Sequence, residues 1–143
     1  MEVGGEVYVS GFKNDGTKFR IGINMPKTEE ELIVALSDKA ITTSGSYEQY
    51  KKHKNEVYTH HIDPSTGYPT KNKIISASII ADNALYGDAL SSICMLLPPK
   101  ESLALVNTLK GVELFLLYEE NNEIQNIQSP GFKNYLVTNK NLN

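Results

Sequence analysis

One cysteine, Cys94, stands in 143 residues. That excludes an internal disulfide framework and, with no partner thiols, argues against a thiolate metal cluster. Long apolar runs are also missing: no stretch approaches the ~18 residues that a membrane span requires. Positive charge is scarce, with 14 Lys and Arg against 17 Asp and Glu, a net of −3. A chain without a basic stripe is not built to bind nucleic acid. The opening Met1-Glu2-Val3-Gly4-Gly5 has neither a basic nor an apolar leader region, so no signal peptide is expected within the chain itself. What is present is ordinary for a globular protein: 40% apolar and 22% charged residues. The length reads as one domain, 1–143, able to bury roughly 68–70% of its unfolded surface.

Two alternating runs, Glu6 to Phe12 and Lys18 to Ile23, flank Asn14-Asp15-Gly16 and read as a hairpin. Residues 28–43 read as a second hairpin, although Thr28-Glu29-Glu30-Glu31 resembles a capping box. Residues 55–63 read as a strand entering the dense turn Pro64-Ser65-Thr66-Gly67-Tyr68-Pro69. Residues 73–81 read as a central strand. A helix over 84–97 follows, capped by Asp82 or Asn83 and stopped by Pro98-Pro99. A second helix over 100–109 ends at Gly111, and residues 113–118 and 123–128 form a last hairpin around Asn121-Asn122. The fold class expected is α+β: an antiparallel sheet of hairpins with a packed helical pair.

The first helix is apolar around nearly its whole circumference, which reads as a buried helix, and Asp88 sits within it. A buried carboxylate needs a partner or a metal. Ser92 lies one turn on, so a carboxylate and a hydroxyl point the same way. These are hard oxygen ligands suited to Mg²⁺ or Ca²⁺ rather than zinc. The structural alternative is that Asp88 caps a neighbouring turn and Ser92 bonds back to its own helix. In the 56–63 strand, period 2 sets Tyr58, His60 and Ile62 on the more apolar face, making His60 the better enclosed base. A satisfied core histidine is the competing reading, and His53 and His61 read as exposed. Ser44-Gly45-Ser46 and Asp63 to Gly67 are loops able to approach a phosphate, or plain Asx and Ser/Thr turns. Cys94 reads as an inert packed thiol.

The order of three motifs is more specific than any one of them. Thr43-Ser44-Gly45-Ser46-Tyr47-Glu48, His60-His61-Ile62-Asp63-Pro64-Ser65-Thr66-Gly67-Tyr68-Pro69 and Ala81 to Ser92 resemble the ApbE family of FAD:protein FMN transferases. Gly4-Gly5-Glu6-Val7-Tyr8 and Arg20-Ile21-Gly22-Ile23 look like further landmarks in the same order. The resemblance implies a T-fold-related α+β domain that binds FAD as substrate and Mg²⁺ as cofactor. It implies cleavage of the pyrophosphate and attachment of FMN to a threonine of an acceptor protein. It assigns Asp88 and Ser92 to the metal and His60 to activation of the acceptor hydroxyl. Ser44, Gly45, His60, Asp63, Thr66 and Gly67 would border the FAD. Ser92 and Gly87 stand where the family usually has threonine and alanine, and Ser46 where it has aspartate. Family members are roughly twice as long, so the chain reads as their C-terminal part. Two alternatives accompany this reading: a truncated flavin- or protein-binding module without turnover, and an FAD pyrophosphatase giving FMN and AMP. The family also implies an extracytoplasmic, membrane-anchored lipoprotein. An uncovered sheet face or edge would favour self-association.

Overall fold

From Ile74 to Ala81 the chain runs eight residues of Ile, Ala and Ser without a charge. Such a run has no side to turn to water, so both its faces need cover. The computed structural model describes residues 1–3, 5–26, 32–46, 50–53, 56–59, 61–70 and 72–137. It places this segment inside a six-stranded antiparallel sheet, with all eight residues buried. The strands are β1 (Glu2–Val3), β2 (Glu6–Val9), β3 (Phe19–Ile23), β4 (Leu32–Leu36), β5 (Lys39–Gly45), β6 (Tyr50–His53), β7 (Glu56–Thr59) and β8 (Ile74–Ala81). Then come α1 (Ala84–Cys94), α2 (Pro99–Asn107), β9 (Glu113–Glu120), β10 (Glu123–Gln128) and a 3₁₀ turn at Phe132–Asn134. The large sheet is ordered β1-β2-β5-β8-β9-β10; β3 pairs with β4, and β6 with β7.

Alternation along β8, reset by a register shift between Ile74 and Ser76, divides the sheet into two cores. On one face Ala77, Ile79 and Ala81 of β8 pack with Leu90 and Cys94 of α1 and Val106 of α2. On the other, Ile75 and Ile80 pack with Ile23, Val34 and Leu36 of the β3–β4 pair and with Phe132. Phe115 and Phe132 stack with ring centroids 5.4 Å apart. Each fully buried aliphatic side chain in these layers contributes ~1.5–3 kcal/mol. The end of the chain extends the β3–β4 layer, because Ala35 N–H donates to Tyr135 O and Val137 N–H to Ile33 O. Among the described residues no helix is long and apolar enough to cross a membrane.

The α+β class, the central 73–81 strand, both helices and the last hairpin agree with expectation. Asn121 and Asn122 both take positive φ, 53° and 63°, as a tight hairpin turn requires. The two N-terminal hairpins are corrected. β2 pairs with β5 rather than β3, and β4 pairs with β3 rather than β5. The expected turns do form, but each carries the chain from one layer to another. Asp38, at φ 52°, makes the second change of direction, and its carboxylate accepts Gly11 N–H at 2.7 Å. Propensity and turn residues locate strands; pairing is decided by which apolar faces meet.

α1 approaches β5 closely because residue 87 lacks a side chain. A Cβ at Gly87 would lie 2.9 Å from Thr42 Oγ1 and 3.3 Å from its Cγ2. An alanine at 87, the residue the resemblance implies as usual, would therefore crowd Thr42 here. Thr42 is buried, and its hydroxyl lacks a hydrogen-bond partner among the described residues. Gly87→Ala gains up to ~1 kcal/mol of helix propensity, but the overpacking costs about 1–3 kcal/mol. A net loss of stability is expected in thermal melts. Adding Thr42→Ala should remove the clash, so the double variant should exceed the sum of the singles by about 1 kcal/mol or more. Strict additivity would show that the two positions do not touch.

Candidate functional site

α1 is not buried all round. It lies on a single sheet face, burying Gly87, Leu90, Ser91 and Cys94. Leu85 is 83% exposed, Tyr86 44% and Ile93 41%. Asp88 is also exposed. The expectation of a buried carboxylate is thus corrected: only one layer lies beneath the helix, and its outward side has no cover among the described residues.

Asp88 is no cap. Asn83 caps α1, its Oδ1 accepting Tyr86 N–H at 2.8 Å. Asp82 instead pairs with Lys39 at 2.5 Å, which raises the lysine's pKa. Among the described residues the Asp88 carboxylate has no hydrogen bond or salt bridge. It borders an open cavity of about 260 Å³, with Met1, Glu6, Tyr8, Ala84 and Leu85. Ser92 follows one turn later on the same side of the helix, half-buried. The back-bond foreseen for Ser92 belongs to its neighbour: Ser91 Oγ donates to Asp88 O at 2.9 Å.

β5 brings a third hydroxyl to this place. Ser44 Oγ lies 2.8 Å from Ser91 Oγ and 3.3 Å from Ser92 Oγ. Sequence reading missed Ser91 and Thr42, the residues that seat α1 on β5. The signal was available: a glycine and a serine one turn apart on an otherwise apolar helix mark a close approach. Asn72 holds the far end of the helix, its amide donating to Met95 O at 2.6 Å.

The remaining candidates lie elsewhere or outside the described residues. Gly45 ends β5 and lines a separate cavity of about 550 Å³ with Arg20, Asn24 and Thr43. Ser46, beyond it, bonds to the Ile74 and Ile75 carbonyls. The Asp63–Gly67 segment is an Asx turn: Asp63 Oδ1 accepts Ser65 Oγ–H at 2.7 Å and Ser65 N–H at 2.8 Å. These bonds hold the Asp63 carboxyl below the usual carboxylate range, the Ser65 hydroxyl being the main cause. Gly67 closes the turn at φ 72°, its N–H donating to Asp63 O. Among the described residues the hydrogen bonds given for Asp63, Thr66 and Gly67 stay within residues 63–68, Asp63 N–H donating to Tyr68 O and Tyr68 N–H to Thr66 Oγ1. His60 lies outside the described residues. Residues 61–63 belong to no named strand, Ile62 making only an isolated bridge to Pro69, so the expected strand does not reach 63. His61 is half-buried rather than exposed. Burial pushes the Cys94 thiol up to about 11, consistent with an inert packed side chain.

Among the described residues no three His, Cys, Asp or Glu side chains gather as a metal cluster. Asp88 and Ser92 offer a carboxylate and a hydroxyl one turn apart on α1, and Glu6 borders the same cavity as Asp88. The two α1 donors are hard oxygens and the Asp88 carboxylate is unengaged, which fits Mg²⁺ with water or substrate oxygens completing its shell.

The chain is similar to known proteins over nearly its whole length. The chain is 32% identical over 144 residues to the FAD:protein FMN transferase of Escherichia coli K12, covering 99% of this chain and 41% of that protein. It is 27% identical over 139 residues to the enzyme of the same name from Vibrio cholerae. The apo structure of the Pseudomonas stutzeri flavinyl transferase ApbE superposes with a TM-score of 0.80 at 30% identity. That match covers 94% of this chain and 42% of the other. The Vibrio cholerae flavin transferase ApbE superposes with a TM-score of 0.79 at 27% identity. The chain thus spans about two fifths of the length of the relatives it matches. The family model for ApbE matches residues 1–116. With the family model matching most of the chain and the fold superposing on solved members, the chain belongs to the ApbE family.

Proposed function

We propose that this chain is the C-terminal, Mg²⁺-binding part of an FAD:protein FMN transferase. The observation that carries the reading is the pairing on one side of α1 of the exposed Asp88 with the half-buried Ser92, whose hydroxyl lies against Ser44. Asp88 and Ser92 would hold the cation beside the FAD pyrophosphate. Mg²⁺ held by them would supply neutralisation of phosphate charge and Lewis-acid activation of the attacked phosphorus. In this reading His60 takes the proton from the threonine hydroxyl of the acceptor protein. That oxygen attacks the FMN phosphorus, the pyrophosphate P–O bond breaks, and AMP leaves. Gly45, Asp63, Thr66 and Gly67 would border the flavin nucleotide.

The lengths of the relatives and the uncovered side of α1 both support the reading of the chain as a part. Leu85, Ala89 and Ile93 form an outward apolar stripe beside Asp88 and Ser92. A ligand site normally encloses most of its ligand, whereas Asp88 borders open space. The 143-residue chain alone is expected to bind FAD weakly, if at all, and to transfer no FMN. Supplying the preceding three fifths of a relative, by fusion or in trans, should restore both. Flavin fluorescence titration and AMP release, with FAD, Mg²⁺ and a threonine acceptor peptide, test this directly. Micromolar FAD binding with turnover by the chain alone would show a complete minimal enzyme. AMP formed equally without acceptor would favour FAD hydrolysis. Sedimentation of the chain alone shows whether a second copy covers the stripe.

A further inference from the structure

We propose that Ser44 is a positioning residue for the cation site, holding the Ser92 hydroxyl proton turned away from the cation. The inference rests on the reading of Asp88 and Ser92 as the ligands. It comes from counting protons along the chain of hydroxyls. Ser91 Oγ is 2.9 Å from Asp88 O, Ser44 Oγ is 2.8 Å from Ser91 Oγ, and Ser92 Oγ is 3.3 Å from Ser44 Oγ. Each serine hydroxyl has one proton to donate. A carbonyl only accepts, so the Ser91 proton goes to Asp88 O. Ser91 Oγ then accepts the proton of Ser44. Ser44, with its proton in use, accepts from Ser92.

The direction of the last bond matters. A cation is held by oxygen lone pairs and repelled by a hydroxyl proton. A free serine rotor samples several staggered positions, some of which aim the proton at the cation. Donation to Ser44 points it at β5 and leaves the Ser92 lone pairs outward. Ser91 anchors the relay, being fully buried between helix and sheet. The same carbonyl that starts the relay belongs to Asp88, so both ligands are tied to one bonded set. Ser44 thereby acts through Ser92 rather than on the nucleotide.

The test uses the 143-residue chain and Mn²⁺ alone, followed by electron paramagnetic resonance of the free ion in the millimolar range. Wild type should bind weakly but measurably, and Asp88→Ala should lose binding. Ser44→Ala should weaken it about fivefold, the worth of one ordinary hydrogen bond. Ser44→Thr restores the hydroxyl on a strand, where β-branched residues are well placed. It should return affinity to within about twofold of wild type. The thermal midpoint of Ser44→Ala should stay within a few degrees, because Ser91 keeps its bond to Asp88 O. If Asp88→Ala and Ser92→Ala both weaken binding but Ser44→Ala does not, the positioning role is overturned and the ligand reading stands. If a folded Ser44→Thr remains as weak as Ser44→Ala, the hydroxyl is not the cause and the proposal fails. If wild type binds no better than Asp88→Ala, the ligand reading itself fails and takes this one with it.

Discussion

Asp88→Ala should abolish Mg²⁺-dependent AMP release while leaving the fold intact, once the chain is completed by the preceding part of a relative. The fold should survive because the side chain is exposed and its carboxylate has no bond among the described residues. Surface substitutions away from such partners usually change stability by no more than about 0.5 kcal/mol. Activity should not survive, because Asp88 is the anionic member of the pair; Ser92 alone cannot offset the cost of stripping water from Mg²⁺. Ser92→Thr keeps the oxygen and should be nearly silent, whereas Ser92→Ala should weaken the response to Mg²⁺. Chromatographic assay of AMP over a Mg²⁺ series, beside thermal melts, separates the cases. An unfolded Asp88→Ala, together with metal-independent AMP release by wild type, would make Asp88 a structural residue and end the reading.

The second large effect is expected at His60. In the completed enzyme His60→Ala should slow FMN transfer to a threonine acceptor by roughly 10²–10⁴-fold, the usual worth of a general base. FAD binding should persist, because in the proposed reading the imidazole takes the acceptor proton and is only one of several groups bordering the nucleotide. His61→Ala should cost far less. His61 opens the bridged turn that Ile62 and Pro69 close, and its carbonyl accepts Thr70 N–H at 2.9 Å. A transfer assay with the two rankings reversed would reject His60 as the base.

Several features could be read in the sequence because they depend on neighbours along the chain. The buried central strand announced itself in the uncharged run from Ile74 to Ala81. A cap at Asp82 or Asn83 could be recognised before Ala84, the structure choosing Asn83, and Asn121-Asn122 as a hairpin turn. Asp88 and Ser92 share a side of α1 through helical spacing alone. The motif order carried the family. Other features depended on contacts between segments distant in sequence. Which strands paired after the Asp15-Gly16 and Ser37-Asp38 turns was set by the closing of two cores, not by turn chemistry. Apolar residues around the whole of α1 suggested burial, but one sheet face can cover only one side of a helix; hence Asp88 is exposed. The partners of Ser44 lie 47 and 48 residues away, and the Thr42–Gly87 contact spans a comparable separation. No local pattern encodes such meetings. They are decided when β5 packs beneath α1, and that packing turns three separate serines into one hydrogen-bonded set.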